Sequence, residues 1–241
     1  MLIALHQGGI YAQKEIANQA ACWLVYNGNH KVHERWGIHT EYQLRRSELL
    51  REPMQYFLRL GVDYYSPKSG QFTTGYGWFH STPYGEQPSS HTTNEHRLWQ
   101  QFMYKTTIAG MELIHRYRLE QRWIENWTSV DQTNYTENGF IFRQRVRYRF
   151  LINHPLSRKD LIDNTLFMAI SDEIFLGFGK GIGKNVLDQN RFYAGLGWRF
   201  SKNLQFQLGY LNQFIIKTDG VHIERNHTLQ ASLTLQADLS K

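Results

Sequence analysis

The groups with the most chemical potential in this chain are arginines spaced two residues apart. Arg143, Arg145, Arg147 and Arg149 alternate with Val146, Tyr148 and Phe150, and Arg116, Arg118 and Arg122 share their spacing with Glu120. Successive side chains on an extended strand point to opposite sides, so this spacing gathers the charges on one face. The same rule puts Glu41, Arg45, Arg59, Asp63, Glu95, Arg97, Glu112, Glu173, Arg191 and Arg199 on the polar side of their own runs, giving twelve guanidiniums against six carboxylates. Such a surplus suits an anion-leaning pore or a site for an acidic ligand. The competing use is a cross-strand ion-pair network that fills a narrow interior, with Arg chosen because its planar fork holds carboxylates bidentately. We favour the network, because small barrels pack their interiors with side chains.

Other candidates are weaker. A hydrolytic serine needs a histidine in reach and a third group to orient it. His80-Ser81 and Ser90-His91 bracket the segment 80-94, but neighbours on a strand face opposite ways, so neither pair makes its own dyad without a turn. The run Gly177-Phe178-Gly179-Lys180-Gly181-Ile182-Gly183-Lys184 superficially resembles a phosphate loop. It has Phe178 where a glycine is required and Asn185 where Ser or Thr is required, so it reads as a bend at a strand end. The single cysteine, Cys22, excludes an internal disulfide; Ala20 and Ala21 precede it as in a lipoprotein, but Gln19 and the strand-like run from Trp23 speak against that. No catalytic residue, metal site or cofactor is expected, since the eleven histidines are scattered without metal-ligand spacing.

The elements that must position these charges are strands. The 241 residues include 7 Trp, 14 Tyr and 14 Phe with only 5 Pro, a β-rich palette. Period-two alternation recurs in eleven runs, near 20-28, 33-46, 54-66, 70-80, 94-106, 110-125, 138-151, 163-176, 188-200, 203-216 and 223-237. Met54, Tyr56, Leu58, Leu60, Val62 and Tyr64 share one face against Gln55, Arg59, Gly61 and Asp63. A short N-terminal stretch, 1-12, reads as the remnant of a secretory signal, leaving 13-241 as one domain.

Length separates the architectures that alternation allows. Soluble sandwich strands average about five or six residues, whereas a membrane-spanning strand needs about 9 to 11. These runs have the longer span, and Trp36, Tyr56, Tyr64, Trp78, Trp123, Trp198 and Tyr210 stand near row ends as interfacial aromatics would. The fold class is therefore all-β, a transmembrane antiparallel up-and-down barrel of 10-12 strands. Twelve is favoured because bacterial single-chain barrels have even counts. Connections alternate between short (28-33, 66-70, 106-110, 200-203) and long (80-94, 125-138, 176-188), apart from 151-163, which is long on the short side. The mean hydropathy of −0.54 fits, because half of each spanning run is polar. A net charge of +6 does not indicate nucleic acid when the arginines line a barrel interior.

The strings Asn94-Glu95-His96-Arg97-Leu98-Trp99-Gln100-Gln101, Arg116-Tyr117-Arg118-Leu119-Glu120-Gln121-Arg122-Trp123, Asp172-Glu173-Ile174-Phe175 and Asp188-Gln189-Asn190-Arg191, with the Arg row 143-149 between them, carry a resemblance. In that order the chain resembles the outer-membrane β-barrel family catalogued as domain of unknown function 2490. The resemblance implies the bacterial outer membrane as location and membrane lipid as surroundings, and it brings no catalytic role. The C-terminal Asp238-Leu239-Ser240-Lys241 lacks the terminal aromatic common in such barrels. The expected protein is a monomer acting as a passive channel that leans toward small anions, or as a structural envelope protein. A lipid-modifying enzyme and a partner-binding scaffold are the alternatives.

Overall fold

The computed structural model describes residues 14-67, 69-130 and 135-240. The reading of 1-12 as a signal remnant lies outside them. Eleven strands follow one another: β1 (Glu15–Lys31), β2 (Trp36–Ser47), β3 (Glu52–Ser66), β4 (Gly70–Ser81), β5 (Thr93–Ile108), β6 (Met111–Ser129), β7 (Tyr135–Pro155), β8 (Thr165–Phe178), β9 (Leu187–Ser201), β10 (Leu204–Ile216) and β11 (His222–Asp238). Each pairs antiparallel with its sequence neighbour, and β11 closes on β1, so every strand has two partners and no edge is left open. The strands run from 12 to 21 residues.

The favoured count of twelve is corrected to eleven among the described residues. An odd count makes the first and last strands run the same way, so the seam is a parallel ladder from Glu15↔His222 to Lys31↔Asp238. Within the described residues β1 is longer than the expected 20-28.

The alternation separates two surfaces. Leu60, Val146 and Leu208 are 50%, 41% and 45% exposed, while Arg59, Arg145 and Arg147 are buried in the interior. Outward aromatics meet across strands, Trp36 on Tyr64 at 5.1 Å, Tyr56 on Trp78 at 5.8 Å and Trp123 on Phe142 at 5.2 Å between centroids. The interior also holds large rings, among them Trp23, Phe57, Phe79, Trp99, Phe167 and Phe175. Room for them comes from inward glycines: a Cβ at Gly197 would lie 2.3 Å from Phe167 Cζ.

One side chain here leaves its expected face. Met54 belongs with the outward row by parity, yet it is 3% exposed and packs with Trp23 and Tyr193. The β2/β3 register shifts between Arg45 and Arg46, and a bulge of one residue turns every side chain beyond it to the other face.

One rim carries the connections 82-92, 179-186 and 217-221, the other 32-35, 109-110, 156-164 and 202-203. Much of the expected loop 125-138 is strand, since β6 reaches Ser129 and β7 starts at Tyr135. The glycine run forms the rim bend expected of it, with Gly179 and Gly181 at φ +82° and +85°.

Candidate functional site

Glu120 on β6 is the hub of the lumen. It is 0% exposed and touches four guanidiniums. Arg145 Nε donates to Oε2 at 2.7 Å and Arg147 Nη1 to Oε1 at 2.8 Å, both from the adjacent β7. Arg59 of β3 reaches Oε1 at 3.3 Å, and Arg97 of β5 stands 3.8 Å from Oε2. The first two follow from register, because Glu120 pairs with Arg145. The Arg59 contact crosses from a strand three places away, which only closure of the barrel allows.

From this hub the network spreads in both directions. Arg59 Nη1 binds Glu41 Oε2 at 2.7 Å. Arg147 Nη2 and Arg116 Nη2 each lie 2.7 Å from Glu173 Oε1. Glu95 accepts from Arg97 and from Arg122, the latter at 2.6 Å to Nε. Near the 156-164 rim, Arg199 Nη2 meets Glu112 at 2.9 Å, and Lys105 is also in contact with Glu112. A buried charge without a partner is costly, so this interlocking is the condition for burying so many ions.

Other expected residues stand apart from carboxylates. Asp63 makes no ion pair among the described residues and accepts from Thr73 Oγ1 at 2.6 Å. Among the described residues Arg45 donates only to amide oxygens, Gln55 Oε1 at 2.8 Å and Gln43 Oε1 at 2.8 Å. Arg118 takes Gln101 Oε1 at 2.6 Å and has Glu41 no nearer than 4.0 Å. Arg143, Arg149 and Arg191 have no carboxylate within ion-pair distance among the described residues. The ion pairs therefore converge on Glu120 and extend to Glu41, Glu95, Glu112 and Glu173, while these other charged residues lie outside them.

Reading the sequence alone misses Asp188, which approaches Arg145 Nη1 at 2.6 Å and Arg122 at 4.0 Å. Its parity on β9 is outward, but the register shift that takes Phe175↔Gln189 to Leu176↔Leu187 leaves Asp188 unpaired and turned to the lumen. The aromatic floor beneath the guanidiniums is also missed: Arg97 lies 3.5 Å from the Phe79 centroid, Arg147 4.3 Å from Phe175 and Arg45 3.7 Å from Trp23.

At each mouth a connection bonds to the barrel wall. From β4, the connection 82-92 crosses over β3 and β2 to reach β1 and β11. There Tyr84 donates to Glu224 Oε2 at 2.8 Å and Gln87 Nε2 to the Glu15 carbonyl at 3.3 Å. Burial, and then the Glu224 carboxylate beside it, hold the Tyr84 phenol above its ordinary pKa, so it stays a donor. At the other mouth, the long connection that breaks the short-turn pattern buries Leu161 and offers its carbonyl to Arg199 Nη1 at 2.7 Å. Between the mouths the network leaves a cavity of about 420 Å³.

The serine candidates separate. His80 bonds Asn94 Oδ1 at 2.8 Å, while Ser81 accepts from Gln55 Nε2 at 2.6 Å. His91 stacks on Trp127 with 5.1 Å between centroids. Cys22 is buried in the middle of β1, paired with Arg46 and Leu229.

No curated protein and no solved structure matches the chain. A family model matches residues 20–224, from β1 to the third residue of β11 and across every strand of the charged lumen, and the chain belongs to the family described as protein of unknown function (DUF2490).

Proposed function

We propose that this chain is a monomeric bacterial outer-membrane barrel with a closed lumen, a structural envelope protein rather than an open channel or an enzyme. The observation that carries this reading is Glu120, held at 0% exposure by arginines from β3, β5 and β7, so that charges from three parts of the wall meet inside the lumen. Loops folded into both mouths support it. The membrane location is supported by the outward apolar face with its cross-strand aromatic pairs, by strands longer than a bilayer requires, and by the resemblance of the motif strings to outer-membrane barrels. Against a lipid hydrolase stands the division of His80 and Ser81 between two different hydrogen-bond partners.

The test is single-channel recording from the refolded full chain in a planar bilayer. Current indistinguishable from that of the bare bilayer is expected. Stepwise conductance would overturn the closed reading and leave an anion-leaning channel as the better account of the surplus arginine, and lipid turnover by the purified protein would favour the enzyme.

A further inference from the structure

The lumenal carboxylates nearest the centre are already engaged, Glu41 by Arg59, Glu120 by four arginines, Glu173 by Arg116 and Arg147, and Asp188 by Arg145. Arg45 and Arg191 are left on the cavity wall with no carboxylate of their own among the described residues. Both lie on one indole, their guanidinium carbons 3.7 Å and 5.0 Å from the Trp23 centroid. Amide oxygens satisfy part of their hydrogen bonding: Gln43 and Gln55 accept from Arg45, and the Gln189 amide, assigned with its oxygen turned to Arg191, accepts from Arg191 Nη2 at 2.9 Å. Amides carry no net charge, and one ring shared by two cations neutralises neither. Trp23 itself lines the cavity and is 1% exposed, and its Nε1 has no hydrogen-bond partner among the described residues. A buried N–H without an acceptor is uncommon in a folded protein and calls for an explanation.

One occupant resolves both anomalies. We propose that the cavity binds a phosphate-class oxyanion between Arg45 and Arg191, beside the Trp23 indole. Guanidinium forks match the oxygens of phosphate in pairs, and the unused indole N–H supplies a further donor. A monatomic anion could take the charge but has no separate oxygens for the two forks. The cavity, at about 420 Å³, exceeds what inorganic phosphate needs and falls within the range of small-molecule sites, so a phosphate ester with a small polar body fits as well. Such an ester could come from solution or from a lipid headgroup. The site stands whether or not the barrel conducts, so silence or current in a bilayer leaves it unaffected.

The experiment uses the refolded full chain in uncharged detergent, dialysed free of phosphate. Its melting temperature and calorimetric heat are followed against inorganic phosphate at constant ionic strength. A saturable rise in melting temperature with matching heat is expected. Arg45→Gln and Arg191→Gln should each weaken phosphate binding about tenfold or more, and the double variant should abolish it. Arg143→Gln, at a rim position outside this cavity, should leave it unchanged. Folding of each variant is checked by its far-ultraviolet β spectrum, and either single variant suffices if the double one does not fold. Glycerol phosphate run alongside distinguishes the sources: tighter binding than inorganic phosphate assigns a headgroup-like ester, and equal or weaker binding assigns the free ion. A flat response of the unmodified chain, or a response unchanged in folded Arg45→Gln and Arg191→Gln, overturns the site.

Discussion

Arg59 on β3 places its Nη2 3.3 Å from Glu120 Oε1 on β6, an ion pair between strands that do not touch in the sheet. It ties the wall of the barrel to itself through its centre. Its strength depends on burial, because the same pair in water would contribute little, whereas here the Glu120 side chain is 0% and that of Arg59 3% exposed. The pair therefore behaves as part of the core.

Removing the charge of Glu120 would leave four guanidiniums facing one another around a neutral amide. Loss of one partner from a buried pair costs about 3 to 5 kcal/mol. Glu120→Gln should lower the melting temperature of the refolded barrel clearly, while Glu137→Gln, exposed near the start of β7, should shift stability by no more than about 0.5 kcal/mol. Equal melting temperatures would mean that the lumen is hydrated enough to screen these charges.

How much of this was legible in the sequence follows from what period-two alternation can encode. It fixes strand identity and face, and all eleven strands lie close to the runs read from it. It cannot show a bulge, because one inserted residue leaves composition untouched; Met54 and Asp188 therefore lie on the side opposite to their parity, and both sit at register shifts. Alternation also cannot say which arginine meets which carboxylate. Glu120 with Arg145 is a neighbouring register pair and could be foreseen, but Glu120 with Arg59 depends on closure. The even strand count was a rule borrowed from other barrels, and the parallel β1/β11 seam departs from it through main-chain pairing that leaves no side-chain signature. The 151-163 connection breaks the short-turn pattern already in the sequence, and the structure adds that it buries Leu161 in the mouth of the lumen.

Leu60, Val146 and Leu208 test the outward face. All three are exposed and point away from the lumen, on β3, β7 and β10. If lipid covers that face, an arginine at any of them near the midplane costs about 2 to 4 kcal/mol. Urea-dependent folding of Leu60→Arg, Val146→Arg and Leu208→Arg into vesicles should show that loss. Unchanged folding of all three would mean that the face meets water and would remove the membrane from the proposed function.

The parallel seam carries a titratable clamp at one end. His222, the first residue of β11, bonds Asp219 Oδ2 through Nδ1 at 2.6 Å and faces Glu15 Oε2 of β1 at 3.3 Å through Nε2, with Lys217 the nearby cation. These groups lie at the exposed rim. The hydrogen bond to Asp219 raises the His222 pKa above its ordinary value, and the backbone N–H of His222, followed by its ring, lowers that of Asp219 to about 2. A raised histidine contributes stability that is complete below its unfolded pKa of about 6.5 and is lost as pH rises through the folded value. The depressed Asp219 contributes above about 3.9, the unfolded carboxylate value, and loses its contribution as pH falls through its own folded pKa. The clamp should therefore be fully formed between about pH 4 and 6.5 and should open as the histidine deprotonates. Ring resonances of His222 followed by NMR should titrate above the ordinary histidine range and move down toward it in Asp219→Asn. Amide exchange at Ile16 and Ile223, paired next to the clamp, should quicken from pH 6 to pH 8 beyond the intrinsic base-catalysed increase. A His222 that titrates normally both in the unmodified chain and in Asp219→Asn would mean that the rim pairs are dispersed by solvent and that main-chain bonds alone hold the seam.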